Sequence, residues 1–391
     1  MIKINKKPSI DFVRRYAHDV VDGIILPRLT IALKNAPSEL SAFFTRARLV
    51  QLVATRPKDL ESTITDVYAA FPQLAERYCY SMLLTDVKIA LEALPEHLSS
   101  PKQRQAFDKV LQRTVAALQG LLLTHPALPY TQYLVDQLMA DGARSEKRRV
   151  LNKLKAASGG THKFSKEDRA RFPDWMKDFA DCFDFDTVAR RYGELLYALW
   201  GLTICPYCAI ERIEGYARIN VRPDLDHFYP RTRFPFLGVS LFNLIPSCGT
   251  CNQKLKRNHP MLGHAHPMLK GLEHDDMFRF GYVPDGNVEQ SLSVQVLPLA
   301  DSHKANNVER FKLAVIYNDN RGLRAWFHDA RATLDVLKEA RLERQPKVIE
   351  AMLQQLVDLN RPSSEVQAQA FKVAAVNDMT GRALRAVLQS P

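Results

Sequence analysis

With 54 Lys and Arg against 43 Asp and Glu, the 391-residue chain carries a formal charge of +11, a balance that favours polyanionic partners without identifying one. Its 46 % hydrophobic content excludes a disordered chain, and its length allows two or three domains with full cores. No apolar run approaches the roughly 20 residues needed to cross a bilayer, and the opening MIKINKKPSI carries no apolar export segment, so a cytoplasmic protein is expected.

Residues 9–140 read as successive amphipathic helices punctuated at Pro27, Pro37, Pro57, Pro72, Pro95, Pro101 and Pro126. A basic run follows from Arg144 to Lys155, including Lys147, Arg148, Arg149 and Lys153; it is either a second polyanion contact or the rim of a linker. Ser158-Gly159-Gly160-Thr161 is the best boundary candidate. Beyond it, Trp175, Phe179, Phe183, Tyr192 and Leu196 recur at helical spacing and read as core.

The stretch from Cys205 to Lys256 is the most informative part of the chain. Cys205 and Cys208 form one C-x2-C knuckle, and Cys248 with Cys251 forms another. Four thiolates at this spacing suit a tetrahedral Zn2+ that pins a small folded unit. Two disulfides are the competing reading, which a reducing cytosol disfavours. The remaining cysteines, Cys79 and Cys182, lie in apolar, helical contexts and read as ordinary buried thiols.

Between the knuckles, Asp226-His227 ends a short extended segment before a turn at Pro230. Consecutive strand residues point to opposite faces, so aiming both side chains at one phosphate requires a bend. Asn243 lies in a second apolar segment stopped by Pro246. Asn252 follows the last cysteine and opens NQKLKRN, whose composition predicts a helix starting at the knuckle. Strand, strand and helix pinned by metal make a compact ββα unit.

With these residues in this order, roughly residues 200–280 resemble the HNH endonucleases (ββα-metal or His-Me finger nucleases) of the subgroup supported by a four-cysteine zinc site. The resemblance implies that His227 is the general base and Asp226 the adjacent ligand of a catalytic Mg2+ or Mn2+. It further implies that Asn243 braces the loop carrying the base and that Asn252 is the second metal ligand, giving an H-N-N motif. Asn oxygen suits a hard cation, and zinc saturated by sulfur is structural. Arg231 and Arg233 after the base, with Lys254, Lys256 and Arg257 after Asn252, then read as contacts to a phosphate backbone, although for any single Lys a solvated helix face is an equal reading. The order of a helix, CPYC and DHF-x-P is similar to that of HNH proteins from bacterial phage-defence systems, which implies DNA as substrate, leaves RNA open and suggests defence-protein partners. With one hydrolytic centre per chain, cutting both strands needs a dimer or repositioning.

His259, His264, His266 and His274 follow in a polar loop; a substrate contact or a metal ligand is one reading of them, but clustered histidines in such a loop are usually solvent-facing. MFRFGYV and SLSVQVLPL read as a hairpin around a Pro284-Asp285-Gly286-Asn287 turn, and residues 304–391 as helices, with Ser364 and Gln367 as a capping box. No nucleotide-binding P-loop pattern occurs. The expected protein is mainly α with a small α+β element. A helical domain spans 1–158, an HNH nuclease domain with leading helices 159–285, and a hairpin strand with helices 286–391. The alternative function is a zinc-finger nucleic-acid-binding module, or an adaptor subunit of a defence complex, with little nuclease activity.

Overall fold

A computed structural model describes residues 1–89, 91–215, 222–282, 292–340, 346–358, 363 and 365–380. The protein is mainly helical, with two small antiparallel sheets of two strands each. None of its described helices is long and apolar enough to cross a membrane.

Most of the N-terminal prolines begin elements, where their missing N–H costs nothing. Pro72 opens the helix Pro72–Tyr78, and Pro101 opens Pro101–Thr124 behind a Ser100/Gln103 capping box. Pro27 differs from expectation. The helix Ile10–Val20 does not stop there but widens into a π-turn over Val21–Ile25 and continues as Leu26–Ala32. The wider turn lets the Leu26 N–H bond back to the Val21 carbonyl just before the proline.

The basic run lies on the helix Arg144–Ser158, and three of its six basic residues bond within the fold. Arg144 pairs with Asp108 at 2.8 Å, Lys153 with the buried Asp168 at 2.9 Å, and Arg148 donates to the Pro95 and Glu96 carbonyls. The Gly159-Gly160 pair terminates that helix. Gly160 adopts φ 67°, which glycine tolerates best, and Thr161 N bonds back to Ala156 O at 2.8 Å. One continuous apolar cluster extends from Met1 through the cysteine segment to Ala375.

Strand β1 (Asp224–His227) pairs antiparallel with β2 (Leu244–Ser247), with Asp226 opposite Ile245 and His227 opposite Leu244. Phe228, Phe234, Phe236 and Leu237 of the connecting loop are fully buried, which fixes the loop to the helical body. Strands β3 (Phe278–Tyr282) and β4 (Leu292–Val296) form the second hairpin, whose Phe278 and Phe280 pack on Phe371. Its expected turn at 284–287 and the expected cap at Ser364 lie outside the described residues.

Both flanks of the chain are stitched to the first knuckle. Ile2 N donates to Pro206 O at 2.7 Å, Tyr317 Oη to Cys208 O at 2.8 Å and Ala368 N to Ala209 O at 2.6 Å.

Candidate metal centre and polar hairpin site

The four knuckle cysteines converge. Their sulfurs all lie within 4.8 Å of one another, all four residues are buried, and none is in a disulfide. Each knuckle turns back on its own sulfur: Glu211 N donates to Cys208 Sγ and Cys251 N to Cys248 Sγ, both at 3.4 Å. A tetrahedral Zn2+ with bonds of about 2.3 Å would set sulfurs about 3.8 Å apart, so the cluster fits such an ion with little adjustment. Burial pushes the Cys205 thiol up, and a bound cation is what would stabilise thiolates there. The four residues therefore form a site able to hold a metal ion such as zinc. Cys79 and Cys182 are buried elsewhere, and the Cys182 thiol donates to Asp178 O at 3.2 Å.

Downstream of Cys248, Thr250–Lys256 forms a π-type helix, closed by Arg257 N donating to Asn252 O at 2.9 Å. This helix lies against β1 with matched spacing. Residues two apart on a strand share a face, and residues four apart on a helix do the same. Asn252 Nδ2 meets Asp224 Oδ2 at 3.2 Å, and four residues on, Lys256 Nζ meets Asp226 Oδ1 at 2.9 Å. Gln253 Nε2 also donates to Asp224 Oδ2, at 2.8 Å.

This geometry revises two sequence expectations. Asp226 is 2 % exposed, and its second oxygen accepts from the Tyr207 hydroxyl at 2.6 Å, so it is not the open carboxylate beside Asn252. Asp224, half-buried, holds that position. Lys256 is buried, not facing a phosphate backbone, because its ammonium is drawn inward by Asp226 and by the His227 carbonyl at 2.7 Å.

His227 leaves β1 on the face opposite Asp226, as strand alternation dictates. Its Nε2 lies 2.8 Å from Gly238 O. A carbonyl only accepts, so Nε2 carries the hydrogen and Nδ1 keeps the free lone pair. Burial, with Arg231 and Lys256 adding to it against the Gly238 carbonyl, lowers the imidazole to about 3, so the ring is neutral at physiological pH. Phe185 packs edge-on against the ring at 4.4 Å, and Arg231 lies over Phe185.

Asn243, fully buried, clamps the loop between the strands. Its Oδ1 accepts from Tyr229 N at 2.8 Å, and its Nδ2 donates to Tyr229 O and Leu237 O, both at 3.0 Å. All four polar valences but one are thereby used, and the turn that presents His227 is fixed from inside.

The basic residues diverge in role. Arg233 ties the finger to the helical body through Asn258 O and Gly160 O. Arg231 is exposed and only loosely paired with Asp186, at 3.5 Å. Lys254 and Arg257 are exposed. Arg257 adopts φ 51° and ψ −129°, a conformation that favours glycine and stores strain at the helix exit. A cleft of ≈ 870 Å3 opens beside it, between the finger and the N-terminal helices. Arg77, Lys163, Arg169, Arg233, Arg257 and Arg310 line this cleft, with the buried Lys256 in its wall, and among the described residues no Asp or Glu does. These cations come from well-separated segments, so no local sequence signal marks the groove.

The histidine loop is less solvated than expected. His266 is 3 % exposed and packs on Phe228, and burial lowers it to about 3. His259 and His264 are half-buried with rings 5.0 Å apart. The cysteine cluster is the metal-type grouping among the described residues.

No protein-family model matches this chain, and neither a curated protein nor a solved structure is similar to it.

Proposed function

We propose that residues 205–257 form an HNH-type nuclease centre that hydrolyses phosphodiester bonds of DNA, with zinc in the four-cysteine cluster as a structural ion. The observation that carries this reading is the His227 imidazole, its Nε2 hydrogen committed to Gly238 and its Nδ1 lone pair left over, on a hairpin whose loop is locked by Asn243. In that role Nδ1 accepts the proton of the attacking water, and the fixed tautomer keeps that atom available throughout. Asn243 is a positioning residue, and the arginine-lined cleft supplies a track for the phosphate backbone.

A hard divalent cation suits the carboxylate of Asp224 and the amide oxygen of Asn252 once that amide turns over from the Nδ2 contact it now makes to Asp224, and it would there neutralise charge on the phosphoryl oxygens and the departing 3′ oxygen. Asp226, the ligand implied by the resemblance, joins such a site only if Lys256 yields its contact. That buried pair is also the specific observation favouring the second reading, a nucleic-acid-binding or adaptor module with a silent centre. A part in bacterial phage defence, with protein partners, rests on the order of the sequence segments alone.

The test is nicking of supercoiled plasmid by the full chain with Mg2+ or Mn2+ and with EDTA, repeated on linear duplex, single strands and RNA. Cation-dependent nicking that disappears in His227→Ala supports the nuclease. Tight binding of DNA without any cleavage, under all of these conditions, supports the silent module.

A further inference from the structure

A second cavity, of ≈ 720 Å3, lies between the segment Ile4–Pro8, the helix Ile10–Val20 and the Arg56–Lys58 turn, and is closed on the finger side by Trp200, Phe242 and Met268. None of Asp224, Asp226, His227, Asn243 or Asn252 lines it. Its walls divide by chemistry. The floor is apolar and aromatic, with the Trp200 and Phe242 rings 6.0 Å apart. The mouth is basic: Lys7, Arg14, Arg56 and Lys58 are exposed, no Asp or Glu lines the cavity, and none of these four is ion-paired among the described residues. Trp200 is 2 % exposed, and its indole N–H is buried with no hydrogen-bond partner among the described residues.

That N–H is sealed from the open cavity, so a ligand acceptor reaches it only as the floor side chains part; such a contact would recover the about 1–3 kcal/mol that an orphaned buried donor costs. The volume is that of an ordinary small-molecule site, about 300–1,000 Å3. Three properties of the ligand follow: an apolar or aromatic body, an acceptor within that body, and more than one negative charge at the mouth. A fatty acid lacks the acceptor and carries a single charge. Inorganic phosphate lacks the body. A nucleoside phosphate has all three, through its planar base with ring nitrogens and its phosphate tail.

We propose that this cavity binds a free nucleotide, with the base against Trp200 and Phe242 and the phosphates at Arg14, Arg56 and Lys58. The site is independent of the phosphodiester centre, and its test does not require cleavage. Phe242 directly precedes Asn243, so the floor of the cavity is continuous with the turn that carries the loop clamp.

The experiment titrates the full chain, without added divalent cation, with ATP and GTP, following tryptophan fluorescence and heat of binding; inorganic triphosphate and decanoate serve as comparison probes. The expected result is saturable binding of ATP or GTP with Kd of about 10–100 µM. Arg14→Glu and Lys58→Glu, both at exposed positions, should weaken it by about tenfold or more each. Trp200→Phe should remove most of the fluorescence change. Lack of saturable binding by both nucleotides up to about 1 mM, equal binding of triphosphate or decanoate, or affinity unchanged in both charge reversals, overturns the proposal. If Trp200→Phe does not fold, the two surface variants decide alone.

Discussion

The ammonium of Lys256 lies 2.9 Å from Asp226 Oδ1, and both side chains are almost fully buried, at 1 % and 2 % exposure. The pair forms because the two-residue repeat of β1 runs beside the four-residue repeat of the Thr250–Lys256 helix, so that one polar rung at Asp224/Asn252 forces a second one deeper in. Two charges removed from water are held by each other, by the Tyr207 hydroxyl and by the His227 carbonyl.

Lys256→Met should therefore destabilise the protein by about 3–5 kcal/mol, since it strands a buried carboxylate. Asp226→Asn combined with Lys256→Met should recover most of that loss. Urea denaturation of the two variants measures both values, and a single-variant loss below about 1 kcal/mol would show the pair to be dispensable.

The cysteine cluster predicts about one zinc per chain retained through extensive dialysis. Cys208→Ser or Cys251→Ser should lower the bound metal and unfold the finger, seen as a drop in Tm together with metal content. A metal-free chain with the native Tm contradicts the assignment.

His227 and Asn243 should separate chemistry from folding. His227→Ala is expected to abolish nicking while metal content stays at the native level. Asn243→Ala leaves the Tyr229 N–H and the Tyr229 and Leu237 carbonyls without their partner, so it should cost about 2–4 kcal/mol of stability and reduce nicking in proportion. If His227→Ala nicks at the native rate, His227 is not the base.

Among the basic residues, the exposed ones should govern salt dependence. Neutralising Lys254 and Arg257 together, or Lys163 and Arg169 in the cleft, should weaken DNA binding across all sequences. The slope of log K against log salt should fall by about one for each phosphate that no longer meets a cation. Lys256→Met should leave the slope unchanged if its protein remains folded. Binding isotherms at several salt concentrations distinguish the two groups.

Glu76 gives the fold a pH dependence of its own. Burial raises its carboxyl from 4.5 to about 7, against the hydrogen bonds it accepts from Thr131 and Tyr130. Below 4.5 both folded and unfolded chains hold the proton, and Glu76 contributes nothing. As pH rises from 4.5 to about 7 the unfolded chain alone releases it, so stability falls, by about 3 kcal/mol in all, and then levels off. Glu76→Gln should lack this decline. Stability curves of both proteins over that window check it, and parallel curves would exclude a raised carboxyl.

The cysteine cluster and the two short hairpins can be read from the sequence because their signals are local: paired knuckles, β-rich runs and turn residues. The direction of Lys256 cannot. In NQKLKRN it looks like any solvated lysine, and only its alignment with Asp226 across the strand turns it inward. Asp224 is equally silent, since nothing in its neighbours announces that Asn252 will reach it. The run from Arg144 to Lys155 looks available for a polyanion because its partners, Asp108, Asp168 and the carbonyls near Pro95, are distant in sequence. At Pro27 the proline rule meets a helix able to absorb the missing bond in a wider turn.

The three carbonyls of the first knuckle, at Pro206, Cys208 and Ala209, accept from Ile2, Tyr317 and Ala368. On the ribosome, this arrangement imposes an order of events. A nascent chain elongates at about 5–20 residues per second, so Tyr317 and Ala368 emerge seconds after Cys251 has completed the thiol set. During that interval the cluster can take up its metal, but its first knuckle lacks two of its three clasps. Closure of the first knuckle is thereby deferred until Ala368 has emerged, and a chain interrupted before Tyr317 would carry the motif residues on a knuckle that the rest of the molecule has not yet closed.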